Sequence, residues 1–135
     1  MPPRRDVFEG GARVASKVPY GFVLDALAPL DPVVRPMFGA HAVYVGERIV
    51  LILRRKQKDD DDGVWVATEL AHHDSLRAQL PSMRSIALLG DGVTAWQNLP
   101  ESGDAFEEEA LRACALIRAG DPRMGRVPKK KTKRT

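Results

Sequence analysis

The spacing of hydrophobic positions predicts three helices. The first begins near Tyr20 and ends before Pro32, because proline interrupts a helix. The second runs from Ala71 to Leu80 with a thin apolar face, and a proline follows it. The third begins after Asp104, a residue type typical of an N-cap. The apolar face of this third helix comprises Phe106, Ala110, Ala113, Cys114 and Ile117.

Runs of β-branched and aromatic residues between the first two helices predict strands. The first run covers residues 33–38, and Pro36 within it predicts an edge or bulged strand because proline cannot donate to a ladder. Residues 42–45 and 48–53 follow, separated only by Gly46-Glu47. These two runs predict a β-hairpin, because a glycine fits the first position of a two-residue turn.

Further strands are predicted on either side of the second helix. Residues 64–67 form one of them. Residues 85–89 and 94–99 flank a Gly-Asp-Gly turn and predict a second hairpin. The resulting order is helix, three or four strands, helix, two strands, helix. This order predicts an α+β fold, a two-layer sandwich in which the helices cover one face of an antiparallel sheet.

The chain of 135 residues is predicted to contain one domain, between residues 19 and 121. Residues 1–18 mix proline, glycine and both charge signs without a period, which predicts a flexible leader. Residues 122–135 are predicted to form a basic tail. The longest apolar run, residues 49–53, is far shorter than the roughly 20 residues of a spanning helix, so no membrane association is predicted. The single cysteine favours a reducing, cytoplasmic compartment.

Positive charge is concentrated at the end of the sequence. The whole chain carries a net charge of +3, residues 121–135 carry +6, and the remainder therefore carries −3. Such a tail is able to bind a nucleic-acid backbone without sequence preference, although free basic tails are also common as solubility features. The candidate nucleic-acid contacts are Arg123, Arg126, Lys129, Lys130, Lys131, Lys133 and Arg134.

One motif resembles a known family. The segment Arg35-Pro36-Met37-Phe38-Gly39, followed by Tyr44, resembles the R-x-M-F-G signature of the TfoX/Sxy N-terminal domain family. The stretch from Trp96 to Pro100 and the segment from Gly120 to Pro128 also resemble short members of that family. The resemblance covers most of the chain between Tyr20 and Pro128. The motif residues are Arg35, Met37, Phe38, Gly39 and Tyr44.

This resemblance implies a fold of the type III secretion-chaperone-like kind, with the order helix, three strands, helix, two strands, helix. It also implies a non-enzymatic interaction or regulatory domain with a protein partner or a homodimeric state. The best-known relatives regulate natural competence in transcription and carry a second domain. We expect no such domain in these 135 residues, so the resemblance does not imply the competence role. The family often has a second glycine after the motif, where this sequence has Ala40.

Within the motif, the Met37-Phe38 pair is interpreted as core packing at a tight bend that ends at Gly39. Arg35 must reach solvent, a carboxylate of the fold or a partner, and the sequence leaves these alternatives open. Trp65 and Trp96 are predicted to fill the core or a dimer face, the alternative being that they stack against a ligand base.

The sequence predicts no catalytic residue, no cofactor and no metal site. His72-His73-Asp74 with Glu69 lacks helical ligand spacing, since adjacent side chains on a helix diverge by about 100°. Residues 54–63 contain four aspartates without the pattern of a calcium loop and are predicted to form a charged, solvated connection. A small ligand-binding protein or enzyme whose site comes from scattered residues remains an alternative.

Overall fold

The computed structural model describes residues 18–56, 61–87 and 94–127. They form one six-stranded antiparallel sheet and three α-helices, which confirms the predicted α+β class. In chain order the elements are α1 (Gly21–Leu27), β1 (Val33–Met37), β2 (Ala40–Val45), β3 (Arg48–Arg54), β4 (Gly63–Val66), α2 (His73–Arg77), β5 (Arg84–Ser85), β6 (Gln97–Pro100) and α3 (Phe106–Arg118). Four strands therefore separate α1 from α2, whereas the resemblance implied three.

The strands lie in the order β1-β2-β3-β4-β6-β5, and every neighbouring pair is antiparallel. β1 is an edge strand, as Pro36 predicted, and Pro36 lies opposite His41 of β2. The predicted hairpin of β2 and β3 is confirmed, with Val45 paired to Arg48 across the turn. The second hairpin is shorter than predicted, because only two residues of β5 pair with β6. Its predicted turn lies outside the described residues.

Two helices differ in detail from the prediction. α2 contains only five residues, and a 3-10 turn, Leu70–His72, precedes it. α3 begins at Phe106, and no side chain caps it, so the predicted N-cap role of Asp104 is wrong. The chain turns into α3 through its backbone instead, since the Phe106 N–H donates to the carbonyl of Gly103 at 3.1 Å.

All three helices contribute to one hydrophobic cluster against the same sheet face. Val23 and Leu27 come from α1, Leu76 comes from α2, and all five predicted apolar positions of α3 are buried there. A β-bulge in β3 enlarges this face: Val43 pairs with Leu51 while Tyr44 pairs with Ile49, so the intervening residue has no partner of its own. The bulge lets two consecutive β3 residues join the helix-side cluster.

A second, smaller cluster occupies the opposite face of the sheet. Its buried members are Ala40, Ala42, Ile49, Ile52, Trp65, Ala67 and Ile86, and partly buried Met37, Tyr44 and Trp96 pack against them. Among the described residues, none of the α-helices contributes to it. We call this surface the helix-free face. It carries most of the motif residues.

In the connection between β3 and β4, which the sequence predicted to be solvated, Arg55 and Lys56 are exposed but the last two residues are not. Asp61 and Asp62 are buried, and the side chain of Arg54 in β3 is also buried. The Asp62 carboxylate accepts from the Lys56 N–H at 2.8 Å and from the Arg54 guanidinium at 3.2 Å. The Asp61 carbonyl accepts from the Trp65 indole N–H at 2.8 Å. Asp59 and Asp60 lie outside the described residues.

The packed part of the chain extends past residue 121. Met124 is buried, and the Gly125 N–H donates to the carbonyl of Ala67 at 2.7 Å. Arg126 then pairs with Ile49 of β3 in an antiparallel bridge. Met124, Gly125 and Arg126, which the sequence assigned to the basic tail, are therefore attached to the folded part of the chain.

No helix among the residues that the structure describes combines the length and the apolar character needed to span a lipid bilayer.

Candidate interaction site on the helix-free face

The motif forms the tight turn between β1 and β2. Met37 packs against the second cluster, whereas Phe38 is 93% exposed, contrary to the prediction that it packs in the core. Phe38 and Gly39 adopt φ values of +51° and +80°. Gly39 also leaves room for Lys56, whose Nζ would lie 3.2 Å from a β-carbon at residue 39. The turn therefore presents a phenyl ring to solvent.

The left-handed backbone of Phe38 is costly for a bulky residue. Crowding of the β-carbon disfavours this conformation by about 1–2 kcal/mol for residues other than glycine. Burial of the ring cannot compensate, because the ring is exposed. Strain of this kind concentrates at functional sites, where selection for binding outweighs selection for stability.

Replacing Phe38 with glycine is expected to leave the free energy of unfolding unchanged or to raise it by up to about 1 kcal/mol. Glycine relieves the left-handed strain, and the greater freedom of the unfolded chain offsets part of the gain. Urea unfolding of the wild type and Phe38→Gly measures the difference. A loss of stability beyond about 1 kcal/mol would show that the ring packs within the fold.

An apolar cavity of about 220 Å³ lies beside the turn. Its lining residues are Met37, Phe38, Ala40, Ile52, Arg54, Trp65, Ile86 and Trp96. We call this set the Phe38 patch. The two tryptophan rings lie 6.1 Å apart at 54°, and the Asp61 carbonyl accepts from the Trp65 indole N–H. The cavity therefore offers apolar and aromatic surface, and Trp96 is only half-buried.

Two guanidinium groups on the helix-free face lie over aromatic rings. The guanidinium of Arg35 lies 5.7 Å from the centre of the Tyr44 ring, and that of Arg54 lies 5.9 Å from the Trp65 ring. Arg54 also forms a buried ion pair with Asp62. Arg35 is exposed and forms no ion pair within residues 18–56, 61–87 and 94–127. The sequence left open whether Arg35 reaches solvent, a carboxylate of the fold or a partner. Within the described residues, no carboxylate pairs with it.

Two of the seven candidate nucleic-acid contacts are held within the fold. Arg123 forms an ion pair with Asp121 at 2.7 Å and donates to the Gln79 side chain at 2.7 Å. Arg126 pairs with Glu69 at 3.2 Å. The other five, Lys129 to Lys131, Lys133 and Arg134, lie outside the described residues. The tail hypothesis stays a prediction.

The bond from the Arg123 guanidinium holds the pKa of Asp121 at about 2, below its ordinary value of 3.8. As the pH falls, Asp121 is therefore protonated in the unfolded chain before it is protonated in the folded chain. The contribution of this ion pair to the free energy of unfolding is present above about pH 4 and is lost between about pH 4 and pH 2. We expect Asp121→Asn to lower stability at neutral pH and to flatten the acid dependence in this window. Urea unfolding across the pH series measures both effects, and parallel curves for the two proteins would contradict the assignment.

The remaining candidates do not form a reactive centre. Cys114 is buried, and burial raises the pKa of its thiol to about 12, so the nucleophilic thiolate is suppressed. His73 is buried with its Nε2 at 3.4 Å from the Ala95 carbonyl, and desolvation lowers its pKa. Within the described ranges, no three metal-ligating side chains group together.

One polar cluster gave no signal in the sequence. The Tyr20 hydroxyl is hydrogen-bonded to the Arg54 carbonyl and to the Glu101 carboxylate, both at 2.9 Å. Arg55 lies over the Tyr20 ring and forms an ion pair with Glu101. Burial and the Glu101 bond raise the pKa of Tyr20. The cluster joins the start of α1 to the ends of β3 and β6, which are far apart in sequence, and we assign it a structural role.

Comparisons with protein-family models, with curated proteins and with solved structures found no match to this chain. The interpretation of the site consequently depends on the geometry of its residues. In that geometry the Phe38 patch combines exposure, backbone strain and an apolar cavity.

Proposed function

We propose that this chain is a non-enzymatic interaction domain of the TfoX N-terminal type, and that it binds a protein partner through the Phe38 patch. The observation that carries the proposal is the exposed phenyl ring of Phe38, presented by a strained turn beside an apolar cavity. An aromatic ring in this position loses contact with water only when another molecule covers it.

The arrangement of the motif supports the proposal. Met37 and Tyr44 pack against the same cluster, and the Arg35 guanidinium lies near the Tyr44 ring. Phe38 lines the adjoining cavity, and Gly39 completes the turn. The residues that suggested the family therefore surround one surface, as expected for a motif that serves recognition. The common helix-side cluster of α1, α2 and α3 likewise supports the two-layer sandwich of that family.

The chemistry of the patch matches that of protein interfaces. Binding energy at such interfaces is concentrated in a few aromatic and arginine side chains that are desolvated around an apolar pocket. The Phe38 patch supplies a protruding ring, two tryptophans and an arginine within one connected surface. A partner that covers Phe38 and fills the cavity would bury both together.

Site-specific photo-crosslinking tests this function. A benzoylphenylalanine replaces Phe38, and the protein is irradiated in cells of the source organism. The matched control carries the same group in place of Leu70, which is 58% exposed and does not line the cavity. We expect a discrete covalent adduct with another protein from position 38 and none from position 70. Equal labelling from the two positions, or no adduct from position 38, would contradict the proposal.

A further inference from the structure

We infer that the partner segment recognised by the Phe38 patch is a short peptide with an apolar side chain flanked by carboxylates. This inference rests on the proposed function and specifies the chemistry of the partner. The apolar side chain would enter the cavity, and the carboxylates would meet the cations at its margin. The observations that carry the inference are the composition of the cavity and the charges next to it.

The cavity selects for an aliphatic or aromatic side chain. Ala40 and Ile52 are buried members of its lining, and Trp65 and Trp96 supply aromatic surface. The polar atom of the Trp65 ring already bonds to the Asp61 carbonyl. A polar group that entered this lining would lose its bonds to water, which makes an apolar side chain the favoured occupant.

Among the residues that the structure describes, two exposed cations lie near the cavity. Arg35 lies on the same strand as Met37, two residues away, and therefore on the same face of the sheet. The ammonium of Lys56 lies next to Gly39 in the turn. Neither cation forms an ion pair with a residue that the structure describes. Of the described acids that follow Lys56 in the chain, Asp61 and Asp62 are buried, and Asp62 pairs with Arg54. A partner with carboxylates would therefore complement this margin.

These cations argue against a second copy of the chain as the occupant. In a symmetric dimer the same patch faces itself, so each copy would bring Arg35 and Lys56 towards the other. Juxtaposed like charges disfavour such an interface. A single-stranded nucleic acid also offers negative charge, but its bases carry polar edges that this apolar lining does not satisfy. The observations therefore favour an acidic, apolar peptide.

A selection from a phage-displayed library of random short peptides on the immobilised full chain tests the inference. We expect enriched sequences with a central leucine, phenylalanine or tryptophan between aspartates and glutamates. The most enriched peptide is then synthesised, labelled with fluorescein and titrated by fluorescence polarisation. Its affinity should fall about tenfold in Arg35→Glu and again in Lys56→Glu, and should also fall with added salt. The matched control, Arg118→Glu, reverses an exposed charge away from the cavity and should bind normally.

Several results would overturn the inference. The first is that the enriched peptides lack acidic flanks. The second is that Arg35→Glu binds the most enriched peptide as tightly as the wild type does. The third is that no peptide is enriched. Concentration-dependent self-association that is lost in Phe38→Ser would identify a second copy as the occupant. If the wild type shifts the fluorescence polarisation of labelled oligothymidine and Phe38→Ser does not, the occupant is a nucleic acid. If crosslinking from position 38 succeeds while the acidic bias is absent, the proposed function survives and only the partner chemistry is wrong.

Discussion

Replacing Gly63 with alanine is expected to lower the free energy of unfolding by at least about 3 kcal/mol. Gly63 begins β4, has φ of +152°, and pairs with Arg54 on one side and Pro100 on the other. An added β-carbon would overlap the carbonyl oxygen of Leu99 and come within 2.6 Å of the Asn98 side chain. The obstruction is largely backbone in the middle of the sheet, so β4 and β6 would have to separate.

Gly21→Ala provides the matched control for this prediction. Gly21 is the first residue of α1 and does not adopt a positive φ, and a β-carbon added there would meet no heavy atom of a distant residue within 4 Å. The alanine there is expected to raise stability by up to about 1 kcal/mol, because alanine restricts the unfolded chain. Urea unfolding of both variants measures the contrast. Equal stabilities would mean that β4 and β6 approach each other less closely than the structure indicates.

Removing the Asp62 carboxylate is the second substitution with a large expected effect. Asp62→Ala should lower the free energy of unfolding by about 3 kcal/mol, because it removes a carboxylate that pairs with a buried guanidinium. The side chains of Arg54 and Asp62 are only 6% and 7% exposed. The same carboxylate accepts from the Lys56 N–H, so the substitution also leaves a backbone donor without this acceptor. Thermal and urea unfolding both measure the loss.

An exposed ion pair supplies the control for Asp62→Ala. Glu108 and Arg112 are one turn apart on α3 and form an ion pair at 2.8 Å. Glu108→Ala should change the free energy of unfolding by no more than about 0.5 kcal/mol, since surface pairs are screened by solvent. A loss in Asp62→Ala as small as this would show that the β3 to β4 connection is as solvated as its composition suggested.

The sequence predicted those features of the fold that depend on local periodicity. The stripe from Phe106 to Ile117 identified α3, because apolar residues at helical spacing need a neighbouring surface. The hairpin around Gly46 was predicted from strand-forming residues on both sides of a short turn. Pro36 identified an edge strand, because a missing N–H is tolerated only where no further strand pairs.

Features that depend on distant contacts were not predictable. Asp61 and Asp62 belong to a charged run, and nothing local indicates that the Trp65 indole and the Arg54 guanidinium use them as acceptors. The bond from Tyr20 to Glu101 joins residues 81 positions apart. The length of α2 was overpredicted because Leu80 is buried without being helical. Burial alone therefore does not distinguish a helix from the turn that follows it.

Of the candidate site, the sequence pointed only to the motif residues, which were interpreted as structural, and it did not indicate their geometry. The motif from Arg35 to Gly39 was recognised, yet an apolar pair at a tight bend is compatible with either face of the sheet. The turn conformation decides the outcome, because the left-handed Phe38 directs its ring outward while Met37 packs inward. The cavity itself is assembled from β1 to β4 together with Ile86 and Trp96 near the second hairpin, and no local pattern reveals such an assembly.

The central claim is that Phe38 serves binding and not folding. The most direct measurement uses the partner identified by crosslinking from position 38. Calorimetric titration compares its binding to the wild type, to Phe38→Ser and to the control Leu70→Ser. The account predicts that Phe38→Ser weakens binding by at least about 2 kcal/mol, as expected for an interface hot spot, with an unchanged unfolding midpoint. Leu70→Ser should bind like the wild type. Equal affinity for Phe38→Ser and the wild type would contradict the account.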